Sequence, residues 1–278
     1  MNPLSPPRPP TGHNDANAPV MAGAALEVPA SISVNGIAHA VMMVTPTALE
    51  AFATGFAFSE GIIDGINDLR DLTIGQQCSP LVPDAAGTPE LDTINIKLEI
   101  SPRQWQRYRA ARHLRQGSSG CGLCGHEALA TALPALQVLP ASPLPDAEQL
   151  RNLQALLARE QLQLPAGSGQ HVALLRAPDG RPLSCLQDIG RHNALDKIIG
   201  FALLHGIELL GHSVLLSSRS SVELVQKAVR ARLSTLIHLG SPSTLAIQLA
   251  HYYRLNLLQY TRQQRVQVHA GPAIESTK

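Results

Sequence analysis

From His171 to Tyr260 the chain repeats one grammar, and that repetition limits what it can fold into more than any other feature. His171 to Arg176 and Pro182 to Gln187 are apolar runs flanking Pro178-Asp-Gly180, which predicts strand, turn, strand. Asp188-Ile-Gly-Arg-His-Asn193 leads into a helix with Ala194, Leu195, Ile198, Ile199, Ala202 and Leu203 as its apolar stripe, ending near Gly206. Val214 to Ser217 reads as a buried strand. Ser220-x-x-Glu223 reads as a capping box opening a helix with Val222, Val225 and Val229 on one side. Thr235 to Leu239 is a strand, Gly240 to Thr244 a turn, Leu245 to Tyr253 a helix, and Leu255 to Tyr260 a last strand. A hairpin followed by three helix-strand units predicts a layered α/β sheet, largely parallel after the hairpin. Ligands of such sheets bind beyond the carboxyl ends of the strands.

The first part of the chain reads differently. Met1 to Asn17 is rich in Pro and polar residues and predicts a disordered tail, with order beginning near Leu26. Ser31 to Val44 predicts two short strands joined at Asn35-Gly36. Thr45-Pro46 then reads as N-cap and first helical position of a helix that buries Leu49, Phe52, Ala53 and Phe56, closed by Ser59 to Ile63. Gln76 to Leu91 reads as loop, whereas Ile94, Ile96, Leu98 and Ile100 alternate with polar residues in a half-buried strand from Thr93 to Ile100. Pro134 to Pro145 holds four prolines and suits a linker, followed by a helix from Leu150 to Leu164 and punctuation at Gly167-Ser-Gly169. The expected division is a tail over 1–25, an α+β region over 26–116, a cysteine loop and linker over 117–145, an α/β domain over 146–270 and a tail over 271–278.

Gly117-Ser-Ser-Gly-Cys-Gly-Leu-Cys-Gly125 sets two thiols three positions apart in a segment with four glycines. From Ser101 to His126 there is no acidic residue, while Arg103, Arg107, Arg109, Arg112 and Arg115 lead into the loop. That field favours thiolate over thiol and makes at least one of Cys121 and Cys124 a nucleophile. The same residues also fit a solvated arginine-rich helix followed by a flexible loop, and a single Cys-x-x-Cys by itself leaves redox, sulfur-transfer and metal roles open. His126 and Glu127 could begin a further helix limited by Pro134. Zinc would need Cys121, Cys124 and His126 to be joined by His171 or Cys185, and no second pair completes the set by local spacing.

A net charge of +1 gives no global case for nucleic acid, so any anion-binding surface must be local. Four cysteines in 278 residues do not make a secreted disulfide framework, which points to a reduced, cytoplasmic setting. No apolar run reaches the ~18 residues of a membrane span, and the N-terminus lacks signal-peptide order.

Three more stretches could carry chemistry. Ser217, Ser218 and Arg219, with Ser220 and Ser221, combine hydroxyls, a guanidinium and a helix start, which suits phosphate but equally a plain serine cap; Gly240 to Thr244 offers the same without charge. Asp188, Arg191, His192, Asn193 and Asp196 cluster at another helix start, where His192 and Asp196 share a face and fit either a general base or a salt-bridging turn. Tyr260, Thr261, Arg262, Gln263, Gln264 and Arg265 offer an aromatic face for a purine and guanidiniums for its phosphates, or simply a basic turn. The layered sheet is similar to that of zinc nucleoside deaminases, but neither His-x-Glu nor Pro-Cys-x-x-Cys stands at its helix starts, which argues against deamination.

Taken in order, Glu27-Val-Pro29, Phe58-Ser-Glu-Gly-Ile-Ile63, Gly120-Cys-Gly-Leu-Cys-Gly125, Asp188-Ile-Gly-Arg-His-Asn-Ala-Leu-Asp-Lys197, Ser217-Ser-Arg219 with Glu223-Leu-Val-Gln-Lys-Ala228, and Ser243-Thr-Leu-Ala246 resemble the FdhD family of sulfur carriers for formate dehydrogenase. The resemblance spans about Glu27 to Arg265. It implies a cytoplasmic homodimer with a deaminase-like α/β domain, lacking deaminase zinc, beside a smaller N-terminal α+β domain. It also implies that persulfide sulfur from a cysteine desulfurase passes to the molybdenum cofactor, bis(molybdopterin guanine dinucleotide), before formate dehydrogenase receives it. Cys121 matches the family's persulfide cysteine and Cys124 its partner, while Tyr260 to Arg265 fall on its aromatic-x-basic-x-x-Arg cofactor segment. The resemblance also makes Ser217, Ser218 and Arg219 more plausible as ligand contacts. Gln187 stands where relatives usually carry Glu, Gln259 where they carry Gly, and Gln263-Gln264 replace a more flexible pair.

Overall fold

The computed structural model describes residues 24–80, 90–112, 133–165 and 169–272. The expected N-terminal tail up to residue 23, Cys121, Cys124 and the helix start at His126 lie outside the described residues. So do 166–168 of the glycine stretch and 273–278 of the C-terminal tail.

Asn35 and Gly36 both adopt left-handed backbone, φ 44° and 76°, and fold β1 (Val28–Val34) onto β2 (Ile37–Val44) as their sequence predicts. β1 also pairs in parallel with β4 (Glu90–Ile100), which pairs antiparallel with β3 (Leu69–Pro80), giving the order β2-β1-β4-β3. The loop expected from Gln76 to Leu91 is therefore corrected at both ends, because Gln76 to Pro80 pair with Ile94 to Glu90. On this edge strand the main-chain ladder suffices, and the polar run Gln76-Gln-Cys-Ser79 supplies no apolar alternation to read.

One face of this sheet buries Ile32, Val34, Ile94, Ile96 and Leu98 against α1 (Leu49–Ser59). Phe52, Ala53 and Phe56 of α1 are buried as predicted, and Gly61 at φ 71° ends the helix while Ile62 donates its N–H to the Ala57 carbonyl at 2.8 Å. The start of α1 departs from expectation. Ala48 precedes it in left-handed backbone without a side-chain cap. Thr45 instead bonds across to the second sheet, so its hydroxyl is not available to a helix three residues on. α2 (Pro102–Arg112) follows β4, and the Ser101 hydroxyl accepts from the Gln104 N–H at 3.4 Å.

Residues 133–152 form no strand or regular helix. This stretch, expected as a linker, is a strap fastened to the second sheet. Leu139 is buried and donates its N–H to the Tyr253 carbonyl at 3.0 Å, and Asn256 Nδ2 donates to the Ser142 and Pro143 carbonyls. α3 (Leu153–Gln161) starts three residues later than the predicted helix because Asn152 takes left-handed backbone, φ 53°, and it ends three residues earlier, at Gln161.

The second sheet has the order β10-β9-β8-β7-β5-β6. β5 (His171–Arg176) and β6 (Pro182–Asp188) form the predicted hairpin, closed by Gly180 at φ 85°. β7 (Ser213–Leu216), β8 (Thr235–His238) and β9 (Asn256–Tyr260) run parallel as expected, with β7 antiparallel to β5. β9 is not the last strand. β10 (Val266–Ala270) pairs antiparallel with it, so Thr261 to Arg265 become a hairpin turn.

The helices α4 (Arg191–Leu204), α5 (Val222–Arg230) and α6 (Thr244–Tyr253) link β6 to β9 and pack on one face over Ala173, Leu175, Val214, Leu216, Leu236 and Leu257. α3 covers the other face over Val172, Leu174, Leu215, Ile237 and Leu258. α4 is buried almost all round because it lies between this sheet and α1.

Candidate functional site at the carboxyl edge of the second sheet

β6 runs in the same sense as β7, β8 and β9, so all four end at one edge. The expected site segments lie at those ends: Asp188 as the last residue of β6, Ser217 to Ser221 after β7, Gly240 to Thr244 after β8 and Thr261 to Arg265 after β9. α4, α5 and α6 each begin at this edge, pointing three helix N-termini and their unpaired amides to one side. Gly190 and Ser221 precede α4 and α5 without side-chain caps, while Ser243 caps α6 by accepting from the Ala246 N–H at 3.3 Å. Arg219, Arg262 and Arg265 are exposed there and make no ion pair among the described residues. The loops bearing Arg219 and Arg262 follow strands two spacings apart, about 10 Å. Helix dipoles and free guanidiniums together make an edge that favours phosphate.

The remaining predicted residues divide between this surface and its support. Ser217 Oγ accepts from the Val172 N–H at 2.9 Å, and Ser218 Oγ donates to the Arg219 carbonyl at 3.1 Å, so both hydroxyls shape the loop. Ser220 is buried, with no partner for its hydroxyl among the described residues. Thr261 and Arg265 close the hairpin turn, with the Thr261 N–H donating to the Arg265 carbonyl at 2.9 Å and Gln264 in left-handed backbone at φ 58°. Gln263 is exposed on that turn. Tyr260 corrects the expectation of an aromatic face for a purine: its side chain points to the α3 side, 1% exposed, among Leu153, Leu157, Leu258 and neighbours.

Asp188 is also corrected as a ligand contact, because it is enclosed and fully engaged. Its carboxylate meets Lys197 Nζ at 2.8 Å and accepts from the Thr45 and Gly190 N–H groups and Asn193 Nδ2. Lys197 Nζ donates in turn to the Thr45 and Gln187 carbonyls, and the Thr45 hydroxyl accepts from the Ile189 N–H at 3.0 Å. Burial lowers the Lys197 pKa and the Asp188 carboxylate partly restores it. The Gln187 carbonyl belongs to this network, and its side chain donates to the Pro165 carbonyl at 2.7 Å. The network ties the segment after β2 to the end of β6.

His192 and Asp196 do not serve one another. His192 Nε2 lies 2.8 Å from Glu223 Oε2, and the Ser221 hydroxyl donates to the same oxygen at 3.1 Å. Burial opposes charge on Glu223, but bonds from His192 and Ser221 outweigh it and hold the carboxyl below its ordinary range. Glu223 is thus occupied by His192 and does not complete the predicted capping box, which would have needed it to reach back to the backbone before α5. Asp196 is buried against Lys227 at 2.8 Å, and its carboxylate holds that ammonium protonated.

Sequence reasoning missed a cluster across β8, β9 and β10. His238 is fully buried, and its Nδ1 faces the Gly240 carbonyl and so must donate, which leaves Nε2 a bare acceptor without a partner among the described residues. Burial pushes its pKa down to about 4, against the Gly240 bond that raises it. Its ring stacks near His269, whose Nε2 donates to Gln259 Oε1 at 3.1 Å, while Gln259 Nε2 donates to Ser241 Oγ at 3.2 Å. The one sequence signal was the departure at Gln259. Among the described residues no group of three His, Cys, Asp or Glu side chains is placed to hold a metal, and no helix is long and apolar enough to cross a membrane.

The FdhD/NarQ family model matches residues 25–274, across both sheets and this edge. The chain belongs to the FdhD/NarQ family. Curated relatives agree along nearly the whole length. The sulfur carrier protein FdhD of Bordetella bronchiseptica is 35% identical over 247 residues, 88% of this chain and 84% of that protein. That of Variovorax paradoxus is 36% identical over 249 residues, 89% of this chain and 84% of that protein. A crystal structure described as a formate dehydrogenase accessory protein from Desulfotalea psychrophila has the same fold, with TM-score 0.63 and 24% identity over 90% of this chain and 89% of that one. FdhD/NarQ membership thus agrees with the resemblance carried by the sequence motifs, and with a mixed α/β fold of two sheets.

Proposed function

We propose that this chain is a sulfurtransferase of formate dehydrogenase maturation. It accepts persulfide sulfur from a cysteine desulfurase and delivers it to the molybdenum of bis(molybdopterin guanine dinucleotide), its bound substrate, before formate dehydrogenase takes up that cofactor. The observation that supports this reading best is the carboxyl edge, where three helix N-termini and the exposed Arg219, Arg262 and Arg265, without an ion pair among the described residues, suit a ligand rich in phosphate. The names of the curated relatives support the sulfur-carrier part.

In the first step the Cys121 thiolate attacks the outer sulfur of the desulfurase persulfide. The donor's sulfur–sulfur bond breaks, its cysteine leaves as thiolate, and the new bond is the Cys121 persulfide. Cys124 assists as its partner. Arg219, Arg262 and Arg265 hold the phosphates while Asp188 and His192 act from beneath, fixing the starts of α4 and α5. The protein works as a cytoplasmic homodimer.

Incubation with a cysteine desulfurase and cysteine, followed by mass spectrometry, tests the reading: a gain of one sulfur should map to Cys121. Cys121→Ala should fold and fail to activate formate dehydrogenase. Full activation by that variant would overturn the reading in favour of a cofactor chaperone that carries no sulfur.

A further inference from the structure

On the face of the second sheet that carries α3, a cavity of about 790 Å³ opens between the strap, the first turns of α3 and the β5–β6 turn. Its walls include Arg151, Asn152, Ala155, Arg159, Arg176 and Gly180. Arg176 ends β5, is 1% exposed, and has no carboxylate within ion-pair distance among the described residues. Its Nε donates to the Gly180 carbonyl at 3.0 Å and its Nη2 to the Gln149 carbonyl at 2.6 Å, but Nη1 is buried with no partner among the described residues. An enclosed guanidinium that Asp146 reaches only through its field, with no ion pair and no partner for one nitrogen among the described residues, is costly, and an anion beside it would relieve the cost.

The backbone presents the same preference. Asn152 and Ala155 bring the N-terminus of α3 to the cavity, where Asn152 gives no side-chain cap and the first turn holds no acidic residue. Of the acidic residues around the cavity, Asp146 acts on Arg176 through its charge without forming an ion pair. Asp146 accepts from the Gln149 N–H at 2.8 Å, and Asp179 pairs with Arg181 at 3.3 Å, while Glu148 is exposed at the rim. Arg159 is paired with the adjacent Glu160, but Arg151 is exposed and unpaired among the described residues. A smaller cavity of about 290 Å³ shares Arg151 and Asn152 with the first and reaches Tyr260, Gln264 and Val266.

We infer that this cavity is an anion site for a diphosphate group, free or carried by a nucleotide, with Arg176 and Arg151 supplying charge and the first turn of α3 supplying amide donors. The site stands independently of sulfur transfer, because none of its residues is assigned a part in it.

Calorimetric titration of the full chain with inorganic pyrophosphate tests the site. The wild type should bind. Arg151→Gln, at an exposed position with no ion pair to lose, should weaken binding about tenfold or more at unchanged thermal stability. Arg176→Lys, which keeps the charge and loses the fork, should weaken it as well, and Arg151→Gln decides alone if that variant does not fold. Guanosine diphosphate separates the two sources: competition with pyrophosphate assigns the site to a nucleotide, and independent binding assigns it to free diphosphate. No binding by the wild type, or equal affinity in Arg151→Gln, would overturn the site.

Discussion

Gly55 of α1 and Gly200 of α4 meet where the two helices cross. A Cβ on Gly55 would lie 1.8 Å from the Asp196 carbonyl oxygen, and a Cβ on Gly200 would lie 1.8 Å from that of Ala51. Both collisions are with backbone, so no side-chain rotation relieves them, and the helices would have to separate. α1 carries the first sheet and α4 the second, so the crossing sets how the halves join. Gly55→Ala and Gly200→Ala should each cost about 3 kcal/mol or more, beyond the small gain an alanine gives a helix elsewhere. Urea denaturation monitored by circular dichroism measures this. A loss under about 1 kcal/mol would mean that the helices do not cross so closely.

A second tie across the same junction is ionic. Lys197 and Asp188 are both fully buried at 2.8 Å, and the carboxylate also holds the Thr45 N–H. Removing one partner strands the other's charge. Lys197→Met should therefore cost about 3–5 kcal/mol, and adding Asp188→Asn should recover part of the loss. A double-mutant cycle in urea gives the coupling directly; additive losses would show that the pair does not act as a unit.

What the sequence disclosed and what it hid differ by range. The turn at Asn35-Gly36, the β5–β6 hairpin and the stripe on α4 depend on residues a few positions apart, and all three were legible. Thr45 and Glu223 were misread because their partners are distant in the chain. Thr45 bonds to Asp188 and Ile189, and Glu223 to His192, so neither serves the local cap that spacing suggests. Tyr260 was misread because alternation along β9 does not reveal which face α3 covers. The gathering of Arg219, Arg262 and Arg265 at one edge was legible only as far as parallel order was, and His238 became a candidate only through its neighbours on β9 and β10.

His238 gives stability a pH dependence with a definite sign. Folded, it titrates at about 4 because burial disfavours the charged ring; unfolded, it titrates near 6.5. Between those values the unfolded chain binds a proton that the folded chain refuses. Its contribution is complete above about pH 6.5, falls as pH drops toward 4, and amounts to roughly 3 kcal/mol over that window. Denaturation at pH 7 and pH 5 should differ by less in His238→Asn than in the wild type. Equal slopes in the two proteins would show that the ring takes up its proton while folded.

Sulfur should load on the 117–125 segment and not on the other thiols, for reasons visible in those thiols. Cys185 is pushed up to about 12, first by burial and then by Glu160, so its thiolate fraction at pH 7 is on the order of 10⁻⁵. Cys78 is exposed but lies 3.5 Å from the Asp92 carboxylate, a bond that uses the thiol proton. Iodoacetamide at neutral pH should accordingly modify Cys121 fastest and Cys185 slowest, as read by peptide mass spectrometry over time. Desulfurase loading should then follow the same order, with Cys121→Ala/Cys124→Ala taking up no sulfur. One sulfur per chain in that double variant, mapped to Cys185 or Cys78, would remove the loop from the reaction.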